Sequence, residues 1–163
     1  MRTIVNRLRR GLNRTVIRGA AYVAAVAALA VFALPGAASA DEDYYVGCGD
    51  SWTSCQTGAA AGLVQGTCMT SDYARGYTQM CVKYDGDYVY VYDGRADGYA
   101  AMARVETTNG SITDRYCRNN LGYGNWAVCN FDWAESGDHQ ASSGYKSNYS
   151  YIVTQELWSW GGN

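Results

Sequence analysis

The chain has 163 residues and a formal net charge of −2, but that charge is divided unevenly. The first forty residues hold six arginines (Arg2, Arg7, Arg9, Arg10, Arg14, Arg18) and no acid, whereas everything after residue 40 carries fifteen acids against seven bases, a net charge of −8. A surface so acidic, with its bases scattered, repels a phosphate backbone and excludes nucleic acid as an expected partner.

In chain order, the basic leader gives way to an alanine-rich apolar run from Gly19 to Leu34, a Pro35-Gly36 break and the small residues Ala38-Ser39-Ala40. That order predicts a cleavable signal peptide over residues 1–40 and a secreted, extracellular product. The run is shorter than the roughly 20 apolar residues of a spanning helix, so no membrane association is expected after cleavage. Arg9-Arg10 faintly matches the twin-arginine export route, with general export favoured over it. All six cysteines (Cys48, Cys55, Cys68, Cys81, Cys117, Cys129) follow the leader, and none forms a Cys-x-x-Cys pair. An even number in an exported chain predicts disulfides in place of zinc ligation. Only Cys117 with Cys129 is singled out as a pair, as a clamp on the loop between two neighbouring strands.

Residues 41–67 read as a mobile N-terminal arm pinned by Cys48 and Cys55, ahead of a β domain over residues 68–163. The arm opens on Asp41-Glu42-Asp43 and ends in a Gly-Ala-rich stretch, Gly58 to Gly66, with too little bulk for a core of its own. From Thr78 to Tyr84 apolar and polar residues alternate, Asp85-Gly86 marks a turn, and Asp87 to Tyr92 alternates tyrosine with valine, which together predict a hairpin. Tyr88, Tyr90 and Tyr92 share one face and Val89 and Val91 the other. Periodicity leaves open which face is buried, although valine is the more natural inward residue. Tyr99 to Thr107 predicts another strand, though its alanines also allow a helix. Asn109-Gly110 predicts a second hairpin turn into Ser111 to Cys117, Asn119 to Asn125 a loop, and Asn125 to Phe131 and Tyr149 to Trp158 two further strands. The expected fold is all-β, a small antiparallel β-sandwich or barrel with disulfides.

Catalytic signals are weak. The single histidine, His139, sits among small polar residues and reads as a solvated surface loop, and no G-x-S-x-G elbow accompanies it. Asp85, Asp87, Asp93, Asp97, Asp132 and Glu135 would offer carboxylate pairs for glycoside chemistry, but most stand beside glycine in turns where water keeps them ionised. The crowding of Asp85, Asp87, Asp93 and Asp97 suits calcium by oxygen count, yet the spacing is not that of an EF-hand and no glutamate closes it. No enzyme activity, metal or cofactor is therefore expected.

Aromatic residues are the positive signal: fourteen tyrosines, five tryptophans and Phe131 follow the leader. Tyrosine and tryptophan combine large contact area with a polar edge, the chemistry of binding surfaces. Tyr44, Tyr45, Trp52, Tyr88, Tyr90, Tyr92, Trp158 and Trp160 are the candidate binding residues of a non-catalytic interaction module whose partners are other secreted proteins. Two alternatives remain: an inhibitor of a secreted hydrolase presenting the loop Arg118 to Asn125, and a carbohydrate-binding domain that holds a glycan on Trp126, Trp133, Trp158 and Trp160.

The stretch Cys81 to Arg104, with Asp85-Gly86, Asp93-Gly94 and Ala96-Asp97-Gly98, followed by Tyr116-Cys117-Arg118-Asn119-Asn120-Leu121-Gly122 and Cys129-Asn130-Phe131-Asp132-Trp133, resembles small exported β proteins of actinobacteria. In size, export and loose amino-terminal arm the chain also resembles the connector subunit of umbrella toxin particles, which links a lectin-bearing subunit to a toxin spoke. That resemblance implies an adaptor in an antibacterial toxin complex, with residues 41–67 as the segment that inserts into a partner.

Overall fold

The computed structural model describes residues 44–71 and 77–162, all within one compact unit, Ser39–Asn163. The predicted signal peptide and the acidic start at residues 41–43 lie outside the described residues. The strands are β1 (Thr53–Thr57), β2 (Ala59–Ala60), β3 (Thr67–Thr70), β4 (Thr78–Lys83), β5 (Tyr88–Asp93), β6 (Ala100–Thr107), β7 (Asp114–Asn119), β8 (Trp126–Asn130), β9 (Asp138–Ser147) and β10 (Ser150–Gly161). They form two five-stranded sheets, β1-β7-β6-β9-β10 and β2-β8-β5-β4-β3. The fold is an all-β sandwich. Every pairing is antiparallel except β1 with β7, which is parallel.

Alternation decides what each sheet turns inward. Met80, Val82, Val89, Val91 and Cys129 from one sheet meet Ala101, Ala103, Val105, Cys117 and Ala141 from the other in a single apolar core. Bulky valines thus face small alanines, which lets the two sheets interdigitate. Tyr88, Tyr90 and Tyr92 consequently lie on the outer face of their sheet. Tyr90 is nevertheless buried there, directly opposite Cys81, whose disulfide partner Cys68 stands one strand further on.

The three disulfides are Cys48–Cys55, Cys68–Cys81 and Cys117–Cys129, and no described cysteine is left free. This complete pairing fits an oxidising, extracellular compartment. Cys117 and Cys129 lie on β7 and β8, which belong to opposite sheets, so the bond staples the two layers together and does not clamp strands of one sheet.

Several expectations are corrected. The stretch expected as a separate arm is built into both sheets: β1 extends one edge and β2 the other, and Tyr44 is only 6% exposed. Tyr44 and Cys48 cover Cys55, Met102 and Tyr116 in a second apolar cluster on the outer face of the β1-containing sheet. Asn109-Gly110 does lie in a hairpin connection, between the antiparallel β6 and β7, but β7 starts only at Asp114, so the connection runs from residue 108 to 113, with Thr107 Oγ1 near the carbonyls of Asn109 and Ile112. His139 is not in a surface loop. It lies on β9, which pairs with both β6 and β10, and it is 1% exposed. No helix among the described residues is long and apolar enough to cross a membrane.

Candidate functional site

The predicted binding residues do not converge. Tyr44 donates its hydroxyl to the carbonyl of Tyr116 at 2.9 Å and lies under the Arg118 guanidinium, while Tyr45 packs against Tyr116 and Tyr151. Burial holds the phenols of Tyr116 and Tyr151 well above their ordinary range, so both remain neutral hydroxyls. These tyrosines serve packing. Trp52 is exposed just before β1. Tyr92 pairs with Trp126 at 5.2 Å on the outer face of the second sheet, and Lys83 stands over Tyr88.

Trp158 and Trp160 belong to a separate aromatic group with Tyr84, Trp133 and His139. Trp158 Nε1 donates to Tyr84 at 3.1 Å, and Trp160 stacks on the His139 ring at 5.0 Å with the planes 8° apart. Trp133 is buried in the core. The four tryptophans proposed as a sugar platform are therefore split between two sheets and the interior. His139 Nε2 lies 3.1 Å from the carbonyl of Ala134, a contact that only an Nε2–H can turn into a hydrogen bond, and its Nδ1 is buried without a partner among the described residues. The ring is a core element stacked among indoles.

A better-formed surface lies where the β5–β6 connection (residues 94–99) meets the β7–β8 connection (residues 120–125). Its frame is built from two asparagines. Asn119 is fully buried; its Nδ2 donates to the carbonyls of Val91 at 2.9 Å and Asn125 at 2.7 Å, and its Oδ1 accepts the N–H of Leu121 at 3.0 Å. Asn125 Nδ2 in turn lies 3.2 Å from the carbonyls of Leu121, Gly122 and Tyr123, gathering the loop around one amide. Gly122 and Gly124 both take positive φ, 84° and 81°, which the tight path demands and other residues resist. The Gly124 N–H bonds the Asp93 carbonyl at 2.7 Å, and the Cys117–Cys129 bond closes the base.

This frame turns Leu121 and Tyr123 outward, 42% and 62% exposed. Tyr77 and Tyr99 stand at the same end, each a little over one-third exposed. Tyr77 lies against Gly94 so closely that a Cβ there would collide with the ring. Between the two loops is a cavity of about 210 Å³ lined by Asp93, Arg95, Tyr99, Asn119, Asn120 and Tyr123, among others.

Asp93 is 4% exposed, and burial raises its carboxyl above the ordinary range; the N–H of Arg95 on Oδ1 lowers it, and the nearby Asp97 raises it further. Asp97 accepts the N–H of Tyr99 at 3.0 Å, the short-range turn bonding expected of an aspartate near glycine.

No family model matches the chain, and no curated protein or solved structure matches it either. The functional reading therefore rests on the geometry.

The expected loop Arg118 to Asn125 proves to hold Leu121 and Tyr123, which composition alone did not single out, and the sequence reading passed over Tyr77 and Tyr99. The signal that was present is a loop rich in glycine and asparagine that nevertheless carries a leucine and a tyrosine. Among the described residues no group of three or more His, Cys, Asp or Glu side chains is arranged to hold a metal ion.

Proposed function

We propose that this protein is a secreted, non-catalytic interaction module that docks other extracellular proteins through the loop at residues 120–125. The carrying observation is that two large side chains, Leu121 and Tyr123, are presented to solvent by a loop that the Asn119 and Asn125 side chains pin in place. Surface loops ordinarily lose conformational entropy when a partner orders them; a loop already ordered loses little, so its contact area translates more fully into affinity. Exposed tyrosine on a rigid frame is the usual chemistry of an anchor residue.

An adaptor role, as a connector in an antibacterial toxin particle, is the form of this reading that the resemblance to the connector subunit of umbrella toxin particles favours. The signal-peptide pattern and the complete pairing of described cysteines support an extracellular setting. The test is to recover tagged protein from culture fluid as wild type and as Leu121→Ala/Tyr123→Ala, with Trp52→Ala as a surface control. A partner held by wild type and by the Trp52 variant, and lost from the double variant, supports the proposal. Recovery of the same partner by the double variant removes the loop from the interface.

The same rigidity favours a second reading. A preordered loop bracketed by disulfide cysteines suits inhibition of a secreted hydrolase, and stoichiometric inhibition of a protease or amylase, lost in Leu121→Ala/Tyr123→Ala, would identify the partner class as an enzyme.

A further inference from the structure

The cavity beside the docking loop has a lining unlike an apolar anchor pocket. We propose that it binds a single neutral sugar ring, a site distinct from the protein-docking function of Leu121. The volume of about 210 Å³ is smaller than the roughly 300 to 1,000 Å³ of pockets that enclose drug-sized ligands, and it has room for one small ring.

Sugar hydroxyls both donate and accept, so a site for them needs carboxylate, amide and guanidinium groups within reach of one ring, together with an aromatic face for its C–H edges. Asp93, Asn120 and Arg95 supply the first set, and Tyr99 and Tyr123 the second. Asp93 Oδ1 accepts the N–H of Arg95, which fixes the carboxylate at the edge of the cavity. Asn119 contributes differently: both Nδ2 hydrogens go to the carbonyls of Val91 and Asn125 and its oxygen accepts the N–H of Leu121, so its role is to hold this side of the cavity in place.

Charge narrows the class further. The lining sets one carboxylate, Asp93, against one guanidinium, Arg95, so it carries no net charge and favours a neutral polyol over an ion. A buried carboxylate also gains most from a hydroxyl donor, because water reaches it poorly.

The experiment uses protein purified from culture fluid and saturation-transfer NMR with the methyl glycosides of glucose, galactose, mannose and N-acetylglucosamine. At least one glycoside is expected to receive saturation. Tyr99→Ala and Asp93→Asn, each checked for an unchanged amide spectrum, are expected to weaken that binding by about threefold to tenfold, the ratio for loss of one ring or hydrogen-bond contact. Absence of transfer to all four glycosides, transfer that survives in both variants, or a stronger response to tetramethylammonium than to any glycoside would each overturn the proposal. Leu121 does not line the cavity, so Leu121→Ala should leave the glycoside signal intact while weakening capture of a protein partner; the two readings therefore fail separately.

Discussion

The carboxylate of Asp87 accepts the backbone N–H of Trp133 at 2.9 Å and so ties the turn between β4 and β5 to the segment leaving β8. Asp87 holds a left-handed conformation, φ 57°, and is almost completely buried, with Oδ1 unpartnered among the described residues. Burial is the main cause that raises its carboxyl above the ordinary 3.8, reinforced by Glu135 and Asp132 and opposed by the Trp133 N–H and Arg115. The folded state thus binds the proton more tightly than the unfolded chain does. Stability contributed by the protonated form is lost as pH rises from 3.8 through the folded-state value, and above that window the charge is a standing cost.

Asp87→Asn keeps an acceptor oxygen and tolerates the left-handed backbone, but carries no charge. It is expected to be at least as stable as wild type at neutral pH, with its advantage shrinking as the medium is acidified. Asp87→Ala also removes the acceptor and is expected to cost about 1 to 3 kcal/mol. Urea unfolding of the three proteins between about pH 3 and 7 measures both effects. An Asn variant that loses stability steadily as pH rises would contradict the burial argument.

Asn119 is the keystone of the loop, and replacing it with alanine leaves the carbonyls of Val91 and Asn125 and the N–H of Leu121 without their present partner. The expected cost is about 2 to 4 kcal/mol, because several buried groups are orphaned at once. Hydrogen exchange should show the amides of residues 121–125 losing protection well beyond the global change. Uniform loss across the whole protein would mean the loop is not separately organised by this side chain.

How far these features were legible in the sequence depends on how each strand meets the core. The hairpin of β4 and β5 was readable because residue type alternates along each strand, Met80 and Val82 against Gln79 and Lys83, then Val89 and Val91 against Tyr88, Tyr90 and Tyr92, and Asp85-Gly86 falls in the connection. β9 was not, because Ala141, Ser142, Ser143 and Gly144 are all buried. A central strand covered on both faces, with tyrosines packed over one of them, selects small residues and erases the two-residue period. β1 was hidden for a related reason: it pairs in parallel with a strand some sixty residues later, Thr53 opposite Asp114, and no local turn announces that. The loop at 120–125 could be found from its glycines and asparagines, but the direction of Leu121 and Tyr123 depends on the Asn119 and Asn125 bonds. The cavity needs two connections distant in sequence to meet.

Breaking the inter-sheet bond with Cys117→Ala/Cys129→Ala is expected to cost about 3 kcal/mol, the value for closing a loop of this size in the unfolded chain. The two cysteines are 12 residues apart, and the docking loop lies wholly between them. Beyond the stability loss seen in denaturant, the variant should hold a protein partner more weakly, since the base of the loop is no longer fixed. Unchanged partner affinity with lowered stability would show that Asn119 alone suffices to order the loop.

His139 provides the sharpest contrast between a surface and a core reading. A histidine in a solvated turn can be replaced by alanine with a change within about 0.5 kcal/mol. The ring here is enclosed, stacked on Trp160 and adjacent to Trp133, with Nε2 against the carbonyl of Ala134. His139→Ala would open a cavity among the indoles and strand that carbonyl, so a loss of about 2 to 4 kcal/mol is expected. His139→Phe preserves the stacking partner of Trp160 and should recover part of the loss, though not the contact with Ala134. Tryptophan emission should shift to longer wavelength in the alanine variant as water reaches Trp160, and remain close to wild type with phenylalanine. Equal stability of the alanine variant and wild type would return His139 to the solvent.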